Sequence, residues 1–465
     1  MKIRYARLRM VLTYVGSIFL IFGFVLLAPL LYSLIIGEAG SKVAPGTFTI
    51  PAALSLVIGA VCRWQIRRER VPLRMGTIEA MLICTFSWLA ISAVGALPFC
   101  IELGVPFTDG YFEAMSGFTT TGITMLTGLD DMARSLLFWR SLTQWIGGLG
   151  ILSFFMFVVF QSGHGYKLLT AESHKISGPR IAPGMWNTLK MLWLVYLLIT
   201  LLIACGLILF GTSIYDAVNH AFTCISTGGY SPYDASIAHY GQHADQYPNY
   251  RGIEYVLLFG MMAGGMNFLV HFRVLTGNIK ALWDGAEVRV WWGILAVCIG
   301  LVMFDHWMHV GWSQGGFEET FRHSSFQVVS IATTTGYGTK DIGSYPPLAR
   351  QIYLILMVIG GCAGSTAGGI KVVRLVILWK LMTRQVRRAL KPASGVELIM
   401  LDGAKLDKEE AYRTSALFFA WVVLLIFGSA VTAILSTYGP VESASGMFSA
   451  LGNIGPAYIP VKGMT

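Results

Sequence analysis

Four stretches of this chain close on glycine, preceded by threonine in the first three and by Ile454 in the last: Ala114 to Gly122, His220 to Gly228, Val328 to Gly336 and Met447 to Gly455. The residues at these ends carry no acid, base or metal-binding side chain, so their chemistry must come from the main chain. Glycine allows dihedrals and close approaches that a Cβ would obstruct. Extended chain at membrane depth leaves carbonyl oxygens without partners, which is tolerated only where they line water or bind an ion. Four such stretches around one axis make a ring of carbonyls able to replace the hydration shell of a monovalent cation. The residues expected to supply it are Thr121 and Gly122, Thr227 and Gly228, Thr335 and Gly336, and Ile454 and Gly455. Small residues also ease helix packing, but their fourfold recurrence after a short apolar stretch favours the ion-binding reading.

A second feature, Gly360-Gly-Cys-Ala-Gly-Ser-Thr-Ala-Gly-Gly-Ile-Lys371, lies where an uninterrupted membrane helix is otherwise expected. Gly360, Gly361, Gly364, Gly368 and Gly369, with Ser365 and Thr366, break that helix, and a broken helix in a bilayer is tolerated beside a water-filled path. Directly below the ring the stretch can obstruct passage, so these residues and Lys371 are the expected gate. Lys371 and Arg374 admit two readings, snorkelling to the cytoplasmic interface or electrostatic control of cation passage. A phosphate-binding loop is excluded, because no Gly-Lys-Ser/Thr occurs.

The elements that position these features are membrane helices. The 465 residues are 55% hydrophobic and only 13% charged, with a mean hydropathy of +0.62, which leaves too little polar surface to cover several water-facing cores. At about 20 apolar residues per crossing, spans fall near 11–36, 48–62, 78–101, 135–160, 189–212, 253–275, 291–312, 351–381 and 411–437. With the N-terminus in the cytoplasm, segments 1–10, 63–74, 161–187, 273–290 and 383–410 hold 21 Lys or Arg, against 6 on the opposite side. This asymmetry accounts for the net charge of +9 without nucleic acid. The stretch from Val11 to Ile36 exceeds a signal-peptide core and has no clear cleavage site, so it reads as a retained helix. The seven cysteines are scattered and without CxxC spacing, which argues against a disulfide framework or zinc site. Nothing resembles HExxH or a nucleophile elbow, so the chain does not read as an enzyme.

The four stretches recur at 106, 108 and 119 residues, a period long enough for a whole helix, short helix and second helix. Each short helix opens on an acid, Asp109, Asp216, Glu318 with Glu319, or Glu442, as suits a helix N-terminus. A paired glycine follows in three copies: Gly147-Gly148, Gly264-Gly265 and Gly360-Gly361. Nine residues before the glycine stand Glu113, Asn219 and Gln327, expected to brace the short helices. The resulting fold class is an all-α membrane protein of four pseudo-symmetric repeats around a central ion pore. Two N-terminal helices span 1–74, and the repeats occupy 75–187, 188–290, 291–410 and an incomplete 411–465.

The third copy, Thr334-Thr335-Gly336-Tyr337-Gly338, resembles the Thr-Val-Gly-Tyr-Gly filter of potassium channels. Together with Gly360 to Lys371, the four stretches make the chain resemble the membrane subunit of the Trk/Ktr/HKT superfamily of potassium transporters, of the Trk type. That resemblance implies potassium as the transported ion, with Gly122, Gly228, Gly336 and Gly455 binding it and no organic cofactor. Serine at the first filter position accompanies sodium transport in this superfamily, so Gly122 argues for potassium. The resemblance further implies a multi-pass protein of the bacterial cytoplasmic membrane, a homodimer, and a cytosolic nucleotide-binding regulatory subunit. Basic loops 161–187, 273–290 and 383–410 are expected docking surfaces, although topology and contact with anionic membrane lipid explain their charge equally. The family pattern also calls for a spanning helix after Gly455, where only ten residues follow. The alternative within transport is a sodium- or proton-coupled potassium symporter, which would favour a membrane-buried carboxylate such as Glu79 or Glu113.

Overall fold

A computed structural model describes residues 2–64, 77–161, 185–311, 316–390 and 399–459. The protein is an all-helical membrane protein. Six helices among the described residues are long and apolar enough to cross a bilayer: Val11–Ile35, Gly46–Trp64, Met81–Leu103, Asn187–Leu209, Ala286–Val310 and Lys408–Leu435. Arg134–Gln161, 28 residues long, fills the place of the expected fourth span. The basic segments 65–76 and 162–184, part of the 383–410 loop, Lys462 and the Glu79 side chain lie outside the described residues.

Proline shapes the first and third spans. The helix Lys2–Val25 gives way at Leu26 to Leu27–Ile35, and Thr77–Gly95 gives way at Ala96 to Leu97–Leu103. Pro29 and Pro98 each sit at the start of the second piece, where the missing N–H removes one helical hydrogen bond. The first span packs along Gly46–Trp64, with Gly16 against Cys62 and Gly23 against Leu56 at a seam too close for larger side chains.

Two expected crossings are not continuous helices. The span expected at 253–275 divides into Tyr250–Gly265 and Phe268–Leu275, bent by 107°. Asn267 causes the turn by leaving helical dihedrals and accepting a hydrogen bond from Leu269 N at 2.9 Å, as an N-cap does. The span expected at 351–381 divides into Pro347–Val358 and Val372–Ala389, with residues 359–371 between them as a folded loop. A small antiparallel hairpin, Met400–Leu401 with Ala404–Lys405, precedes the last long helix.

Four short helices, Phe107–Phe118, Ile214–Ile225, Gly316–Ala332 and Pro440–Gly452, carry the expected acids in their first turns. Two of the three glycine pairs, Gly147-Gly148 and Gly264-Gly265, receive their C-terminal ends. A Cβ on Gly147 would overlap the Phe118 carbonyl, and one on Gly264 would lie 2.9 Å from that of Ile225. Gly148 meets Ser226 and Gly265 meets Thr333 in the same fashion. In these two pairs one glycine thus accepts its own unit's short helix and the next its neighbour's, whereas Gly360 and Gly361 meet Gly368, Gly369 and Gly265 instead.

Candidate ion-binding ring

Each short helix ends by turning its chain into an extended strand, and the turn has one construction in all four units. The amide of Thr121 donates to Ser116 O at 2.8 Å, Gly228 to Thr223 O at 2.9 Å, Thr335 to Ser330 O at 2.9 Å, and Ile454 to Ser449 O at 3.1 Å. The residue before each donor, Thr120, Thr227, Thr334 or Asn453, has a positive φ of 53–62°. The residue after it is Gly122, Gly229, Gly336 or Gly455, with φ of 76–109°. A left-handed conformation at this last position is the physical reason for glycine.

This construction corrects the expected register of the second unit. The Thr-Gly pattern puts Thr227 and Gly228 in line with Thr121 and Gly122, but the hydrogen bonds align Gly228 with Thr121 and Gly229 with Gly122. The spacings from Gly122 to Gly229 and from Gly229 to Gly336 are then each 107 residues. The missed signal was Tyr230, which after Gly229 repeats the Gly336-Tyr337 dipeptide. In the same way His220, not Asn219, shares the place of Glu113 and Gln327.

The four strands close into a cycle. A Cβ on Gly122 would overlap the carbonyl oxygen of Gly228, one on Gly229 that of Thr335, and one on Gly336 that of Ile454. A Cβ on Gly455 would lie 3.4 Å from the oxygen of Thr121, completing the circuit less tightly. At that looser seam Asn453 supplies polar stitches, accepting from Thr121 Oγ1 at 2.5 Å and donating through Nδ2 to Thr119 O and Thr120 O at 3.1 Å.

Side chains behind the strands fix their positions. Tyr230 Oη donates to Glu113 O at 3.0 Å, and Tyr337 Oη donates to His220 O at 3.1 Å, so each tyrosine ties its strand to the preceding short helix. Gln144 spans the second strand, donating to Gly228 O at 2.7 Å and accepting from Tyr230 N at 3.1 Å. The Glu113 carboxylate, fully buried, accepts from Arg140 Nε at 2.6 Å, Thr124 Oγ1 at 3.0 Å and Met125 N at 3.1 Å. Arg140 also donates to Ser231 O at 2.9 Å and lies 3.5 Å from the centre of the Tyr230 ring. This network links the first two units through charge-assisted bonds.

The loop 359–371 lies against these strands. Gly368 N donates to Thr334 Oγ1 at 2.7 Å, and Thr366 Oγ1 lies 3.3 Å from Thr227 Oγ1. Gly368 also abuts Asn453, so the loop touches three of the four units at the left-handed residues where their strands begin. Its other side fills the bend between Gly265 and Phe268. Cys362 N donates to Gly265 O at 2.9 Å, Thr366 Oγ1 to Gly264 O at 3.1 Å, and Phe268 N to Gly364 O at 3.1 Å. Gly360 and Gly369 pack backbone to backbone, and Gly361 lies against Gly265 O and the Ser365 hydroxyl. Ser365 Oγ donates to Cys362 O at 2.6 Å. Lys371 turns back into the loop, donating to Ala367 O and to Ser365 Oγ.

Comparison with known proteins agrees with this geometry. The TrkH family, described as cation transport proteins, matches residues 46–458. The Trk system potassium uptake protein TrkH of Escherichia coli (strain K12) is 32% identical over 451 residues, covering 95% of this chain and 89% of the relative. An uncharacterized cation transporter of Methanocaldococcus jannaschii is 30% identical, covering 96% of this chain and 87% of its own length. The crystal structure of the potassium transporter TrkH from Vibrio parahaemolyticus superimposes with a TM-score of 0.83 at 28% identity, covering 97% of this chain and 90% of that one. This chain therefore belongs to the TrkH family of cation transport proteins and is not an enzyme.

Proposed function

We propose that this chain is the membrane subunit of a potassium uptake system of the bacterial cytoplasmic membrane, with the four extended strands as its selectivity filter and the loop 359–371 as its gate. The observation that carries the reading is the closed circuit of glycines and carbonyls, Gly122 to Gly228, Gly229 to Thr335, Gly336 to Ile454 and Gly455 to Thr121. A ring of main-chain oxygens held by surrounding hydrogen bonds offers a bare monovalent cation substitutes for lost water. Thr121, Gly122, Gly228, Gly229, Thr335, Gly336, Ile454 and Gly455 form the filter, and Thr227 lies one position inward.

The four short-helix units make a pseudo-symmetric arrangement about the pore, preceded by two helices at 1–74. The short helices direct their C-terminal dipole ends toward it, which favours a cation. The loop obstructs the inner end until it moves. Homodimerisation, the cytosolic nucleotide-binding partner and the cytoplasmic N-terminus follow from the likeness to Trk systems and from the basic inner loops. Obligatory ion coupling would need a carboxylate free to change state; of its two candidates, Glu113 is held by Arg140, Thr124 and Met125, and the Glu79 side chain lies outside the described residues.

The test is ion flux into liposomes containing the full chain. Potassium and rubidium should enter faster than sodium, without a requirement for sodium or a proton gradient. Equal entry of sodium would sink the filter assignment, and strict sodium dependence would replace the conduit by a symporter.

A further inference from the structure

A residue inside the loop 359–371 and one just beyond it converge on one side chain from another element. Glu287 sits in the first turn of Ala286–Val310 and is almost fully buried. Its Oε1 accepts from Ala363 N inside the loop at 2.7 Å and from Val373 N, just beyond the loop, at 3.1 Å. Those two donors stand ten positions apart in the chain, so one carboxylate oxygen closes the loop across its base. The other oxygen, Oε2, is buried without a hydrogen-bond partner. A buried carboxylate with half its capacity unused is costly, and Lys371 acts on it through space from the same loop.

The opposite face of this helix end is also held. Ala286 N donates to Asp402 Oδ1 at 2.8 Å, from the turn of the cytoplasmic hairpin Met400–Lys405, and Lys380 Nζ donates to Met400 O at 2.5 Å. Leu401 and Leu406, flanking that turn, are buried in the main apolar core. The residue that clasps the loop is therefore next in sequence to one bonded to the hairpin.

We propose that Glu287 is a positioning residue that clasps the loop 359–371 in its obstructing form, so that opening requires the bonds to Ala363 and Val373 to break. This rests on the gate assignment above. The clasp acts through geometry: its essential feature is one acceptor oxygen at the correct reach, with the negative charge secondary.

Cys362, beside Ala363 and fully buried, reports whether the loop stays folded. The test follows its alkylation by N-ethylmaleimide in the full chain, read by mass spectrometry of the peptide, alongside potassium flux in liposomes. Glu287→Ala should raise the alkylation rate by about tenfold or more, since it removes two charge-assisted bonds from a local opening equilibrium. Glu287→Gln keeps an acceptor at the same reach and should stay within about threefold of the parent. Glu287→Asp keeps the charge but falls one methylene short, and should react nearly as fast as the alanine variant. Unchanged alkylation in a folded Glu287→Ala protein overturns the clasp. So does the reversed order, with Asp protected and Gln exposed, because charge pairing with Lys371 would then hold the loop. If Glu287→Ala does not fold, the Gln and Asp pair still decides. Faster alkylation without increased basal potassium flux supports the clasp and removes the gate assignment instead.

Discussion

Gly336 packs so closely on the Ile454 carbonyl that a Cβ at position 336 would overlap that oxygen. Its φ of +87° adds strain for any other residue, roughly 1–2 kcal/mol from handedness alone. Gly336→Ala is therefore expected to lower potassium flux by about tenfold or more, because the third strand must withdraw from the fourth. Gly455→Ala meets nothing nearer than 3.4 Å and bears only the dihedral strain. The check is initial potassium uptake by the two variants at matched protein density. Equal loss in both would show that spacing within the ring does not set conduction.

The second strand offers a test of register. Gly228 has no positive φ, and what fills the space beside it is the Gln144 side chain; Gly229 has a φ of +76° and faces the Thr335 backbone. A side chain can yield where a backbone cannot. Gly228→Ala should accordingly cost less flux than Gly229→Ala, and Gln144→Ala should restore part of the Gly228→Ala loss while doing nothing for Gly229→Ala. Rescue of the 229 variant instead would return the register to Thr227-Gly228.

Much of this arrangement was legible in the sequence, because its causes are local. Apolar runs of bilayer length, acids at the short-helix starts and a glycine at each strand all follow from single-residue preferences. The register of the second strand was not, since Gly228 and Gly229 are adjacent and it is Gly228 that follows a threonine, as Gly122 and Gly336 do. Only Tyr230, whose hydroxyl bonds to Glu113 O as that of Tyr337 bonds to His220 O, separates them. The bend at Asn267 was hidden because Phe268–Leu275 continues the apolar run on the far side of its cap. The role of Glu287 is not local either: a lone acid at a helix start has the pattern of ordinary capping, and its partners lie 76 and 86 residues away.

Arg140 and Glu113 form an ion pair in which the side chains are 3% and 0% exposed. Removing one member leaves the other charged and dry, which is worth roughly 3–5 kcal/mol. Arg140→Met should thus lower the melting temperature of the detergent-solubilised protein sharply. The double variant Glu113→Gln with Arg140→Met should recover much of that loss, since no unpaired charge remains. Additive losses in the double variant would mean that the pair contributes through Tyr230 packing and Ser231 bonding, not through mutual neutralisation.

The loop 231–249 should carry a pH dependence of opposite sense to an ordinary histidine salt bridge. His239 stacks on Tyr233 with ring centres 3.6 Å apart. Burial, then the neighbouring His243, hold its imidazole below the usual value, although Asp130 and Asp216 oppose this. The fold therefore favours the neutral ring. Its stabilisation is complete above the free-histidine value of about 6.5 and is lost as pH falls from there through the lower folded value. Amide exchange in residues 231–249 should accelerate on going from about pH 7.5 to about pH 5.5 beyond the intrinsic chemical trend. His239→Phe, which keeps the stack without the titration, should abolish that excess. Persistence of the excess in the phenylalanine variant would show that His239 is not its source.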